Sequence, residues 1–350
     1  MTNNTTFIGV DFHPYSQVVA YCDIKDGKMK FKAMNHSNKS VVRNFYKSFP
    51  RGAVVGVEAT GGLEWFLRVL DGMHLVAKIG NPGRIRQLAL SRHKNDFRDA
   101  ITILDLLIKE AFPEVRRRSK EAETVLGMLV YRHKLVQKRT SMANQLQSFA
   151  RRKGLQKFAT KKKDAGERFL DATETADEKL LVASRLKVFE AIDQEVKTVE
   201  RRLKKIAENT DAAANLITHS GIGPLSSLAV VHTLGDPNRF RSKEQAVAFV
   251  GLDPLDDSSA DKKRIGHISK QGSRVTRFLL GQAAASSKDR RIRDAYSRVC
   301  RRRGRSIAKV AAARRLLVHC FIMLRDNIDY EEFCRRGDVG LDVGSVSSGG

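Results

Sequence analysis

The first 111 residues alternate between short apolar runs and polar turn segments, a pattern typical of an α/β domain. Two strand-like runs flank the dipeptide Asp26-Gly27, which favours a hairpin turn between them. Asn81-Pro82-Gly83 stops another strand, and Pro113 follows the end of a helix. The predicted elements are strands at 7–12, 17–24, 28–34, 53–59 and 75–80 and helices at 39–48, 63–70 and 96–111.

The middle of the chain, from 121 to 208, has no proline and shows long helical stripes. In the second stripe the apolar residues step by three and four, which is a heptad seam: Phe189, Ile192, Val196, Val199, Leu203 and Ile206. A seam of this kind packs on a neighbouring helix of the same chain or on a second chain, and the pattern leaves both open. The basic stretch at 151–168 is the predicted tip of a helical hairpin.

From 211 to 330 the helical segments are shorter and are separated by glycines. Gly221 and Gly223 stand in a Gly-Ile-Gly string between two such segments, which predicts a helix-hairpin-helix turn. The glycines permit a tight turn and leave backbone N–H groups for a phosphate. The segment 336–350 is rich in Gly and Ser and is expected to be a flexible tail.

The composition points to a polyanionic partner. Lys and Arg number 64 and Asp and Glu 39, a net charge of +25, while 41% hydrophobic residues suffice for packed cores. No apolar stretch is long enough to span a membrane, and no secretory signal is visible. Four scattered cysteines are expected to be reduced thiols, so a cytoplasmic location is predicted.

The charge is unevenly distributed. Residues 1–111 carry a net charge of +6, whereas 114–163 carry +12 and 288–315 carry +10. A solvated helix face usually mixes signs, so this excess favours phosphate contacts. Four arginines form the densest group, Arg301, Arg302, Arg303 and Arg305, and suit phosphate and RNA backbone recognition.

Four acids form the strongest candidate for chemistry. Asp11 and Glu58 end predicted strands, and an acid on an apolar strand is unfavourable unless it is paired or binds a metal. Asp96 and Asp99 lie three residues apart on one helix face, although Asp96 alone could be a helix N-cap. Carboxylates suit Mg²⁺, and two such ions about 4 Å apart promote phosphoryl transfer.

These acids, with Glu58-Ala59-Thr60-Gly61, Asn81-Pro82 and the string from Lys94 to Ala100, resemble the DEDD transposases of bacterial insertion sequences. That group includes the Piv-type invertases and the bridge-RNA-guided recombinases. The resemblance implies a RuvC-like, ribonuclease-H-like domain in which Asp11, Glu58, Asp96 and Asp99 bind two Mg²⁺ ions. It also implies a structured guide RNA from the mobile element.

The family also has a nucleophilic serine five residues after a GLxP proline, usually followed by Gly. The matching residue is Ser259, after Pro254, and the next residue is Ala260, a departure from that pattern. Ser258 is the alternative candidate for the nucleophile. The resemblance implies that Ser259 attacks a DNA strand and forms a transient phosphoserine link. Basic residues around it are predicted to bind nucleic acid: Lys262, Lys263, Arg264, Lys270, Arg274 and Arg277.

The sequence therefore predicts an α/β plus all-α protein that acts as a DNA transposase and site-specific recombinase. Its expected parts are a RuvC-like domain at 1–115, a helical or coiled-coil connector at 116–210 and a helical transposase domain at 211–335. Donor and target DNA, a guide RNA and further copies of the chain, as a dimer or tetramer, are the expected partners. The alternatives are a RuvC-like endonuclease that uses water and a non-catalytic nucleic-acid-binding protein.

Overall fold

The protein was analysed as a computed structural model, which describes residues 6–89, 95–156, 160, 164–256 and 265–337. The chain divides into two compact units, Met1–Arg117 and Arg118–Gly350. The first unit is built on a mixed β-sheet and the second is mainly helical. The predicted combination of an α/β sheet with many helices is therefore confirmed.

The first unit contains a six-stranded sheet with the strand order β3-β2-β1-β4-β5-β6. β1 pairs antiparallel with β2 and parallel with β4, and β4 pairs parallel with β5. This mixed sheet is compatible with a RuvC-like fold. The strands are β1 (Thr6–Phe12), β2 (Ser16–Asp23), β3 (Met29–Asn35), β4 (Val54–Glu58), β5 (Val76–Gly80) and β6 (Glu114–Val115).

Helices cover both faces of this sheet. The helices are α1 (Lys39–Lys47), α2 (Glu64–Gly72), α3 (Pro82–Leu88) and α4 (Asp96–Ile108). Alternate residues of β1 and β4 pack with α1 and α2 in one core, and α4 packs on the other face. Period-two alternation thus assigns each strand residue to one of two helical layers.

Three elements of this unit differ from the sequence prediction, and the first is the two-residue strand β6, which was not expected. α3 was not expected, because Asn81-Pro82-Gly83 was interpreted only as a strand stop; Asn81 in fact caps a helix and Pro82 occupies its first turn. α4 ends at Ile108 instead of 111, and Glu110 has a left-handed φ of 52°.

The second unit begins with a helical hairpin. α5 (Lys120–Arg152) and α7 (Ala176–Glu208) each contain 33 residues, and α6 (Ala165–Asp171) lies between them in the chain. Ion pairs join Arg132 to Glu200 and Arg139 to Asp193, so the two long helices run antiparallel. The heptad seam of α7 packs against α5 of the same chain, which supports the first of the two predicted alternatives.

The remainder of this unit is a helical assembly with one small sheet that the sequence did not predict. Its strands are β7 (Pro254–Asp256) and β8 (Ile265–Ile268), which pair antiparallel. The helices are α8 (Asp211–Ile217), α9 (Pro224–Leu234), the 3₁₀ turn Pro237–Arg239, α10 (Lys243–Val250), α11 (Arg274–Ser286), α12 (Arg290–Arg303), α13 (Arg305–Asp326) and α14 (Tyr330–Arg335). Among the described residues, no helix combines the length and apolar character needed to cross a membrane.

Candidate active site

Asp11 and Glu58 lie at the carboxyl ends of two neighbouring parallel strands. The register of β1 and β4 pairs Val10 with Val57, so the two acids directly follow paired residues. Val10 and Val57 belong to the core under α1 and α2. Because side chains alternate along a strand, both acids are directed to the opposite face, which α4 covers. Adjacent strands are about 4.8 Å apart, so the acids share one edge of the sheet.

Two glycines allow α4 to approach this face closely. A Cβ on Gly9 would lie 2.3 Å from the carbonyl oxygen of Ala100 and 2.5 Å from the backbone nitrogen of Leu104. At Gly56, which pairs with Gly9, a Cβ would lie 2.7 Å from a side-chain carbon of Leu107. A larger residue at Gly9 would push the helix backbone away from the sheet. The glycines therefore set the position of α4, and with it the first turn.

The first turn of α4 carries the other two predicted acids. The Asn95 side chain accepts a hydrogen bond from the backbone N–H of Phe97 at 3.1 Å and is the N-cap. Asp96 is therefore not the cap, which was the structural alternative left open by the sequence. Asp96 and Asp99 stand in the first turn, where the helix dipole stabilises negative charge.

His13 joins two of these acids in a compact group. Its Nε2 atom lies 3.1 Å from Oδ2 of Asp11 and 4.0 Å from Oδ1 of Asp96. One ligand atom from each of the three residues lies within 4.8 Å of the others, the spacing of a metal site. The Asp11 side chain is 12% exposed, whereas His13 and Asp96 are open to solvent. A cation could thus be held against a buried carboxylate and still be reached from outside.

The environment of Asp11 disfavours its charged form. Burial raises the pKa of the Asp11 carboxyl, the neighbouring His13 lowers it, and the negative charges of Asp99 and Asp96 raise it again, with a net increase. A bound cation would offset both the loss of hydration and the repulsion among the acids. Carboxylate oxygens suit Mg²⁺ or Mn²⁺, and an imidazole nitrogen adds affinity for transition metals. The residues therefore fit a divalent cation.

Glu58 lies beside this group without belonging to it. Its side chain is 27% exposed, and Oε1 lies 4.0 Å from Nη2 of Arg86, which is exposed. The structure thus brings together Asp11, Asp96 and His13, and it places Asp99 where its charge acts on Asp11. A long, exposed ion pair contributes little, so Arg86 is easily displaced from Glu58.

His13 was missed by the sequence interpretation. It follows Asp11 by two positions in the string Asp-Phe-His, immediately after β1 ends. Residues two apart at a strand end share a side, and that spacing was the available signal.

The predicted nucleophile and its neighbours lie outside the described residues: Ser258, Ser259, Ala260, Lys262, Lys263 and Arg264. The strands on either side of them, β7 and β8, pair with each other. Beyond β8, the Ser269 hydroxyl donates to Oδ1 of Asp253 at 2.5 Å. Ser269 therefore fastens the base of the β7–β8 pair.

The two glycines of the predicted helix-hairpin-helix turn serve packing and capping. Gly221 has a φ of 98°, and a Cβ there would lie 2.6 Å from the carbonyl oxygen of Ala283. The Gly223 N–H donates to the hydroxyl of Ser226 at 2.9 Å, which caps α9. The Gly223 amide is thus engaged within the protein, and a phosphate role for these glycines stays a prediction.

The predicted basic residues of this unit fall in two places. Arg301, Arg302 and Arg303 end α12 and Arg305 begins α13, and all four are exposed. Near the β7–β8 pair, Arg277 donates from Nη1 to the carbonyl oxygens of Val250 at 2.9 Å and Gln271 at 2.6 Å. Arg277 therefore braces the backbone, while Lys270 and Arg274 are exposed.

A second group of titratable residues is buried in this unit and was not predicted. Nε2 of His219 lies 3.2 Å from Nδ1 of His319, and each lies 3.9 Å from Oδ2 of Asp289. The same oxygen accepts hydrogen bonds from the Tyr330 hydroxyl and, at 3.2 Å, from Nη2 of Arg291. These residues come from distant parts of the chain, so a local sequence pattern could not predict the group.

Comparison with known proteins identifies two matching segments. Residues 8–153 match the family model of DEDD transposases of the IS110 type, described as Transposase. Residues 213–297 match the family described as Transposase IS116/IS110/IS902. The first segment contains the four acids, and the second contains Ser259 and the neighbouring basic residues.

Three relatives align over both parts of the chain. A transposase candidate of Sinorhizobium fredii, y4pF/y4sB, is 26% identical over 71% of this chain and 65% of its own length. The probable family 20 transposase of Pseudomonas aeruginosa is 28% identical over 69% of this chain and 73% of its own. The transposase for insertion sequence element IS1111A of Coxiella burnetii is 28% identical over 65% and 64%. The chain thus spans slightly less than two thirds of the first and third relatives.

Proposed function

We infer that this chain is a DEDD transposase of an insertion sequence, and we propose that it cuts and rejoins DNA with two Mg²⁺ ions held by Asp11, Glu58, Asp96 and Asp99. The observation that carries the proposal is the group of Asp11, Asp96 and His13 beside the paired strand end of Glu58. A buried carboxylate with a raised pKa among other acids is the arrangement expected of a site that needs a cation.

The chain's own residues would share the work as follows. Asp11 supplies the buried ligand, and the helix acids supply ligands from the α4 side. His13 hydrogen-bonds to Asp11 and fixes the orientation of its carboxylate. Bound ions would supply charge stabilisation for the attacking and leaving oxygens of a phosphodiester.

We propose Ser259 as the attacking group. Its hydroxyl oxygen would form a bond to the DNA phosphorus as the bond to one strand oxygen breaks, and that oxygen leaves as a hydroxyl after taking a proton. A phosphodiester is thus exchanged for a phosphoserine, so the reverse attack by a DNA hydroxyl rejoins strands without ATP. The support is the position of Ser259 after Pro254 within the segment that matches the transposase family.

The partners follow from charge and reaction. Donor and target DNA are the substrates, and the net charges of +12 and +10 on 114–163 and 288–315 suit a second nucleic acid such as a guide RNA. Exchange of two strands calls for a dimer or tetramer. A cytoplasmic location close to the chromosome fits this work.

A trapping experiment tests the proposal. The full chain is incubated with its element DNA and Mg²⁺, denatured, and analysed for DNA attached to Ser259 by peptide mass spectrometry. We expect an adduct in the wild type and none in Ser259→Ala, with Ser184→Ala, at an exposed position of α7, as the matched control that keeps the adduct. Cleavage that persists in Ser259→Ala without any adduct would overturn the serine step.

That outcome would support the second candidate, a RuvC-like nuclease that hydrolyses DNA with water. The acid group favours this rival specifically, because two metal ions and carboxylates suffice to activate water. Absence of cleavage by the wild type with every DNA and guide supplied would favour a binding protein.

A further inference from the structure

A groove lies in the second unit between α11, α13 and the turn that follows β8. Its volume is about 540 Å³, which is within the range of small-ligand sites. The walls are mainly apolar and include Leu252, Ile268, Phe278, Val310 and Ala313. The groove also adjoins the base of the β7–β8 pair that flanks the predicted nucleophile, since Ile268 of β8 and Lys270, two residues further on, both line it.

Three exposed cations surround these apolar walls. Lys270, Arg274 and Lys309 line the groove, and none of them forms an ion pair with an acid in the part of the chain that the structure describes. Burial lowers the pKa of Arg277, and the adjacent charge of Arg274 lowers it further. Among the described residues, positive charge is therefore concentrated here, which favours an anionic ligand.

One of the apolar walls of the groove is an exposed aromatic ring. Phe278 is 43% exposed, although it is a large apolar side chain on a packed helix. The ring of His133 lies 4.6 Å from it, centroid to centroid, and supports it from α5. Gly281, three residues further along α11, leaves the adjacent space open, since a Cβ there would meet nothing within 4 Å.

We propose that this groove binds one unpaired nucleotide of a nucleic-acid strand, with its base on Phe278 and its flanking phosphates at Lys270, Arg274 and Lys309. An apolar wall with a cationic rim fits a ligand that has a flat ring and negative charge. Bases stack on aromatic side chains, and phosphates pair with Lys and Arg. A duplex hides the faces of its bases, so the ligand is a single strand or an extruded base. The proposal rests on the proposed function for the presence of DNA near the β7–β8 pair.

Binding assays without metal test the proposal in the full chain. The probes are a fluorescein-labelled oligothymidylate, an abasic strand with the same number of phosphates, and a duplex, all in EDTA. We expect Phe278→Leu to weaken oligothymidylate binding by about 5- to 150-fold and to leave the abasic strand unchanged. Phe278→Trp should restore binding. Lys309→Gln should weaken both single strands and lower the salt slope by about 1.

A matched pair of glycines provides the second arm. Gly281→Leu fills the groove, whereas Gly127→Leu adds the same side chain to an exposed position of α5 where nothing lies within 4 Å. Both replacements improve helix propensity, and urea denaturation checks that both variants are folded. Equal oligothymidylate binding by the two glycine variants would overturn the proposal. So would a Phe278→Leu variant that loses as much affinity for the abasic strand as for oligothymidylate. If these binding results fail but the wild type still cleaves DNA, the groove proposal is wrong and the proposed function is retained. If binding depends on the base but the wild type does not cleave DNA, the groove proposal is retained and the proposed function is wrong.

Discussion

The two units each bury an aspartate, and the surroundings of the two carboxylates are opposite. Asp11 is held near two other acids, and burial with their charges raises its pKa despite His13. Burial would also raise the pKa of Asp289, but hydrogen bonds from Tyr330, Arg291 and a backbone N–H lower it to about 2. Asp289 is thus satisfied by the protein, whereas Asp11 is not.

The difference separates a carboxylate that the fold compensates from one that a bound cation would compensate. A buried carboxylate with several donors is fully compensated inside the fold, and removing it leaves those donors unpaired. A buried carboxylate among like charges lowers stability in the absence of a cation, and it is retained because the cation compensates it. The comparison predicts opposite outcomes for similar substitutions.

The largest effect is expected for Asp11→Asn. Loss of the buried ligand should reduce Mg²⁺-dependent DNA cleavage by more than about 100-fold, while the free energy of unfolding stays within about 1 kcal/mol of the wild type or rises. Cleavage assays and urea denaturation measure the two quantities. Asp105→Asn, on α4 but outside the cluster, is the control with normal cleavage. A large loss of stability in Asp11→Asn would show that the two aspartates are alike.

Asp289→Ala is expected to lower the free energy of unfolding by about 3 to 5 kcal/mol, because it leaves Arg291 and Tyr330 without their buried acceptor. The matched control is Asp294→Ala, an exposed residue that forms an ion pair with the exposed Arg290 and should change stability by less than about 0.5 kcal/mol. Urea denaturation checks both. Equal small effects would contradict the structural role of Asp289.

Gly9→Ala tests how α4 is held against the acid site. The new Cβ would overlap the α4 backbone, so we expect a loss of about 1 to 3 kcal/mol together with reduced cleavage, since the first turn is displaced. Gly61→Ala adds a methyl group where nothing lies within 4 Å and should leave both unchanged. Normal cleavage in a folded Gly9→Ala protein would mean that α4 need not lie this close.

The smallest effect is a pH dependence of the second unit. Burial lowers the pKa of His319 to about 3, whereas the pKa of a histidine in the unfolded chain is about 6.5. Between these two pH values His319 is protonated in the unfolded chain and neutral in the folded protein. The free energy of unfolding therefore falls as the pH drops below about 6.5. Asp289 adds to this fall below about pH 5, since its folded pKa of about 2 lies below the unfolded value. Denaturation at several pH values should show a flatter profile for His319→Gln, and an unchanged slope would contradict this origin.

Local patterns in the sequence predicted much of the fold and part of the site. Period-two runs located the central strands, and the Asp96-Asp99 spacing placed both acids in one helical turn. Long-range features were beyond such patterns: the contact of His13 with Asp96 spans 83 positions, and the His219–His319 contact spans 100. The β7–β8 pair was missed because strands of three and four residues carry too little periodicity.

The length of the antiparallel hairpin of α5 and α7 can be compared with the length of duplex DNA. A helix of 33 residues is about 50 Å long, which equals about 15 base pairs of duplex. A slip of one heptad between the helices would shift one against the other by about 10.5 Å, or three base-pair steps. The largely buried pair of Arg139 with Asp193 opposes that slip, because a shifted register would separate these two charges. The ion pair therefore fixes the register of two helices that are each about 50 Å long.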